Sequence, residues 1–154
     1  MVGYAHTASG TAALRTAVRE AQRAGTAVEV VHVFDVGRRA DAAMAADLDG
    51  VRRDELRRAQ QRVRAVLAEV VAEVGADAVD GDTTEPGVRF LSADGSLEDA
   101  LAAAAQGRAR LVLGEPGADE DRALPSRLSR RCGIPVTLVS ESGRLREVGP
   151  GDAG

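Results

Sequence analysis

His6, His32, Cys132 and Ser96 are the residues of this 154-residue chain whose types could do chemistry. An imidazole can serve as a general base or a metal ligand near neutral pH. A base needs a nucleophile beside it, and a metal site needs at least a third ligand. The two histidines are far apart in sequence, and no Cys/His pair stands at metal-ligand spacing. His32 lies inside an apolar run and reads as a histidine packed and hydrogen-bonded within a strand. His6 follows a short apolar run and reads as a turn residue, exposed to water or touching an anionic ligand. Cys132 stands between Arg131 and Gly133. Neighbouring positive charge favours a reactive thiolate, while a small thiol closing a helix reads as buried structure. Ser96 follows Gly95 without the Gly-x-Ser-x-Gly frame of a hydrolase, so it reads as a helix cap. No acid, base and nucleophile converge, and the chain is expected not to be an enzyme.

The elements that must position these residues alternate. Thr26 to Phe34, Ala109 to Gly114 and Pro135 to Ser140 are short runs rich in β-branched and aliphatic residues, and they predict buried strands. Val88 to Ser92 and Met1 to Ala5 add two more. Between them, Leu14, Ala17, Val18 and Ala21 fall on one helical face before Gly25. Leu56, Val63, Val66, Leu67, Val70, Val71 and Val74 mark a longer helix over 51 to 74, stopped by Gly75. Ser96 opens a short helix to Gln106, and Leu124 to Arg131 forms another before Gly133. Residues 35 to 50 and 76 to 87 read as loops or frayed helix ends. Such alternation predicts an α/β fold: an open, doubly wound, parallel five-stranded sheet with helices on both faces. Residues 1 to 140 form one domain in this reading, and 141 to 154 a flexible tail.

Composition narrows the function. The formal net charge is -4, and the 20 basic residues, all arginine, are dispersed among 24 acids. No basic stripe stands out in the sequence, so nucleic acid is not expected as a partner. Aromatics make up 2% of the chain, too few for base-stacking platforms. No apolar run is long enough for a membrane span and no leader is recognisable, which predicts a cytoplasmic protein.

Four segments, in order, resemble the universal stress protein family over roughly residues 2 to 140. The first, VGYAHTASGTAALRTAVREAQRAGTAVEVVHVF, is similar to that family's opening strand, turn, helix and second strand. ADGSLEDAL resembles a Gly-rich turn and the helix it launches, RLVLGEPG a strand ending in a Gly-x-x-Gly turn, and LSRRCGIPVTLVS the closing helix, proline turn and last strand. The resemblance implies a five-stranded parallel sheet and a dimer, with some members binding ATP and others not. It also implies a site in the crevice beyond the carboxyl ends of the strands.

Carried onto this sequence, that crevice falls on Gly114, Gly117, Thr7 and Arg122. The chain departs from the nucleotide-binding pattern in several places. Ala5 stands where those members have an aspartate, and Pro116 offers no N–H to a phosphate. The family's Gly-Ser pair falls near Arg122 and Ala123, in a shortened loop that carries Glu115, Asp119, Glu120 and Asp121. Phosphate is repelled there unless Arg122 or Arg127 intervenes. The loop therefore reads either as an altered ligand site or as a solvated turn.

The expectation is a non-catalytic stress-response or regulatory protein with a degenerate ATP motif and no cofactor. It acts as a homodimer paired through the strand PVTLVS, taken as an exposed sheet edge, and it engages a further protein of unknown identity. The alternative is an ATP-binding member of the same family, with Mg²⁺ accompanying the nucleotide and slow hydrolysis.

Overall fold

The computed structural model describes residues 1–5, 7–34, 48–77, 88–94, 96–118 and 120–151. Their order is β1 (Val2–Gly3), α1 (Ala8–Ala24), β2 (Val28–Phe34), α2 (Leu48–Asp77), β3 (Val88–Asp94), α3 (Leu97–Ala105), β4 (Leu111–Gly114), α4 (Leu124–Cys132), β5 (Val136–Val139) and β6 (Leu145–Val148). One sheet runs β3-β2-β1-β4-β5-β6. Its first five strands are parallel, as the alternation predicts, with Val2 beside Val30 on one side and Val112 on the other.

Alternation along each strand divides the core in two. Val2, Val28, Val30, Val112 and Val139 turn to one face, where Leu14 and Val18 of α1 and Val63 and Val70 of α2 cover them. Val31, Leu111, Leu113, Val136 and Leu138 turn to the other face, under Leu101 of α3 and Leu128 of α4. The aliphatic runs are thus buried on both sides, as parallel strands require.

The helix ends follow their caps. Thr7 accepts the Gly10 N–H through Oγ1 at 3.0 Å, and Gly25 closes α1 with φ of 60°. Ser96 accepts the Asp99 N–H at 3.1 Å, the capping role read from its sequence. Gly133 ends α4 in the same left-handed geometry. Helix α2 exceeds its expected bounds at both ends and passes through Gly75, so residues 48–50 and 76–77 are helical. The remainder of the two expected loops, 35–47 and 78–87, lies outside the described residues.

The carboxyl end of the chain departs from expectation. The segment read as a flexible tail contains β6, which pairs antiparallel with β5 from Val136 opposite Val148 to Val139 opposite Leu145. PVTLVS is therefore an interior strand and not the sheet edge. Val148 is buried, and Ser129 Oγ lies 2.7 Å from the Ile134 carbonyl and 3.0 Å from the Val148 carbonyl, its one proton shared between the two, which ties β6 to α4. The sequence signal was weak because only Val148 of LREV is buried. An edge hairpin buries little apolar surface and leaves little periodicity.

Candidate functional site

Strand order reverses between β1 and β4, the place where open α/β sheets usually offer a binding crevice. The chain leaving β1 turns through Thr7 into α1, and the chain leaving β4 turns through Glu115 to Gly117. The structure therefore brings Thr7, Gly114 and Gly117 to the same end of the sheet.

Hydrogen bonds within the protein then consume this end. Thr7 Oγ1 caps α1 and lies 3.2 Å from Ser9 Oγ, and Ser9 donates to the Glu115 carbonyl at 3.1 Å. The Glu115 N–H donates to the Val139 carbonyl at 2.8 Å. Gly114 lies so close to α1 that a Cβ on it would stand 2.6 Å from the Gly10 nitrogen and 2.8 Å from Ser9 Oγ. Its glycine is explained by strand-to-helix packing, with no ligand needed. The Gly117 N–H donates to Glu120 Oε2 at 2.9 Å. A carboxylate of the chain itself thus sits where the turn would meet a phosphate oxygen.

The cations divide. Arg127 donates to Glu98 at 2.9 Å and to Asp121 at 2.6 Å, while Arg131 reaches Asp99 at 2.7 Å. The Asp121 carboxyl is held below the usual aspartate range, chiefly by its hydrogen bond from Arg127, with the Ala123 N–H adding to it. Asp99 is held low by Ser96 first and then by Arg131. Arg127 is thereby committed to α3 and its own loop. Arg122 is exposed and forms no ion pair with a described residue.

His32 is half-buried near the end of β2, beside Ser92 in β3. Burial pushes its pKa below 6.5, opposed by a hydrogen bond with the Tyr4 backbone. That is the packed strand histidine read from the sequence. Cys132 is half-buried, its Sγ 3.9 Å from the Ala102 carbonyl. Burial raises its pKa, and Arg131 only partly opposes this, so the thiol form is favoured. His6 and Asp119 lie outside the described residues. Among the described residues no three His, Cys, Asp or Glu side chains gather to hold a metal ion, and no helix is long and apolar enough to cross a membrane.

Solved structures share this fold. A universal stress protein family structure from Burkholderia pseudomallei superposes with a TM-score of 0.56 and 18% identity, covering 90% of this chain and 93% of its own. A universal stress protein in complex with cAMP gives 0.53 and 18%, covering 90% and 96%. The fold is that of the universal stress proteins. No protein-family model and no curated protein matches the sequence. Identity this low carries the universal stress protein fold and leaves the ligand to be argued from the residues themselves.

Sequence reasoning missed Ser9 and Glu120. Ser9 sits in a Thr-Ala-Ser-Gly stretch, where a second hydroxyl beside a helix cap is a signal for a local bridge. Glu120 reads in the sequence as one of a repelling acidic group, although a carboxylate three residues beyond a glycine can fold back onto its N–H.

Proposed function

We propose that this chain is a non-catalytic regulatory protein of the stress-response type, with a crevice that no longer serves ATP and with a homodimer as its working form. The observation that carries this reading is the Gly117 N–H held by Glu120. A phosphate would have to displace that carboxylate and settle beside Glu115 and Asp121. Each such like-charge contact at about 4 Å costs on the order of 1 kcal/mol even in water. The lost carboxylate at Ala5 and the missing N–H of Pro116 support the same conclusion. The homodimer must use a surface other than β5, whose edge β6 covers.

Calorimetric titration with ATP and Mg²⁺, and separately with cAMP, tests the crevice. No saturable heat is expected from either ligand. Saturable binding at micromolar concentration would overturn the reading.

A second reading makes the protein a nucleotide binder, in which Gly114, Gly117, Thr7 and Arg122 hold the phosphates and Mg²⁺ accompanies ATP. Its support is the exposed Arg122, which has no ion pair among the described residues, and a universal stress protein of the same fold in complex with cAMP.

A further inference from the structure

Helix α2 packs its apolar side on α1 and the sheet through Val63, Val70, Val66, Leu67 and Val71. Along its outer side run Arg58, Arg62, Ala65, Glu69 and Ala72, all exposed. Their spacing of four, three, four and three residues keeps them in one straight line on the helix, as in a coiled-coil seam. Glu73 lies beside the end of this line and is also exposed. The arginines that seemed dispersed in the sequence are concentrated here, with Arg53, Arg57 and Arg64 exposed as well.

The signs along the line are unusual for a helix that faces only water. Such a helix gains stability from opposite charges four residues apart and loses it from like charges at that spacing. Here Arg58 and Arg62 are four apart, and so are Glu69 and Glu73. Arg58, Arg62 and Glu69 form no ion pair with a described residue, while Glu73 takes Arg15 through Oε2 at 2.8 Å. The line is basic in its first half and acidic in its second, with the small Ala65 near its middle.

A charge pattern of this kind is complementary to itself when reversed. Arg62 and Glu69, and likewise Arg58 and Glu73, are symmetric about the peptide joining Ala65 and Val66. A two-fold axis at that point lays a second α2 antiparallel on the first, and each arginine then stands level with a glutamate of the other copy. A two-fold interface presents the same patch from both sides, which is what this pattern satisfies. An unrelated acidic partner would pair with the arginines and leave Glu69 opposed. Nucleic acid would meet the same glutamate and the overall charge of -4.

We infer that the outer face of α2 is a homodimer surface, in which Arg62 of each copy pairs with Glu69 of the other in an antiparallel helix pair. This surface rests on the homodimer reading given above. The contact is polar and unburied in the monomer, so its association weakens as salt is raised.

Sedimentation of the full chain over a concentration series tests it, with circular dichroism confirming the fold of each variant. The wild type is expected to dimerise. Arg62→Glu and Glu69→Arg should each weaken dimerisation at least about tenfold, because like charges then face each other. An equimolar mixture of the two variants should dimerise again, as should the doubly reversed chain. A dimer that ignores both reversals removes α2 from the interface and leaves the homodimer reading standing. A chain that stays monomeric at every concentration removes both. Reversals that weaken the dimer without rescue in the mixture overturn the pairing of Arg62 with Glu69.

Discussion

The crevice at the carboxyl ends of β1 and β4 and the outer face of α2 treat polar groups in opposite ways. In the crevice, Thr7 meets Ser9, Ser9 meets the Glu115 carbonyl, and Gly117 is held by Glu120. On α2, Arg58, Arg62 and Glu69 remain exposed and unpaired among the described residues, in an order that repels along the helix. A donor already bonded inside the protein offers a ligand only an exchange, whereas a charge left in water with a like neighbour gains from any opposite partner. The place that resembles a known site by position is thus chemically the quieter of the two.

The sharpest way to break this contrast is Gly114→Val. If Gly114 serves packing, the added side chain meets the Gly10 nitrogen and Ser9 at under 3 Å and costs about 3 kcal/mol or more. A large fall in melting temperature is expected without any ligand present. Unchanged stability would mean that Gly114 is kept for close approach of something else.

His32 provides a smaller effect. Its folded pKa lies below 6.5 because of burial, so the unfolded chain takes up the proton first as pH falls. The stability it contributes is complete above 6.5 and declines below that value until its folded pKa is reached. In denaturant titrations across this range, His32→Gln should flatten the decline. An unchanged profile would place the acid sensitivity elsewhere.

The smallest effect concerns α2 in the monomer. Arg62→Glu places opposite charges at 58 and 62 and should leave stability unchanged or raise it by about 0.2 kcal/mol. A substitution that weakens the dimer while sparing the monomer's melting temperature separates an interface charge from a structural one. A marked loss of monomer stability would show that Arg62 holds the fold.

The fold was legible where burial is two-sided. The runs at 28–34, 111–114 and 136–139 are apolar because both faces of each strand are covered, and that continuity survives in the sequence. Caps were legible too, since Ser96 and Gly25 act locally. β6 was not, because three of its four residues are exposed. In the crevice, Thr7, Gly114 and Gly117 lie at the end of the sheet where the family resemblance sets them. Their commitments were hidden: Ser9 meets Glu115 across more than a hundred residues, and no local pattern records that contact. The line on α2 was written in the sequence in full, but only the exposure of 58, 62 and 69 separates it from the buried residues between them.

The pairing of β6 also sets an order on biosynthesis. Four of the five parallel strands can be in place before β5 appears, yet the outer edge of β5 gains its neighbour only after Val148 has left the ribosome. Until then the Ser129 hydroxyl lacks the Val148 carbonyl, and a strand with four buried residues presents an open ladder. A chain in which β5 has emerged and Val148 has not is therefore at its most vulnerable to pairing with another chain, and closure of the β5–β6 hairpin ends that exposure.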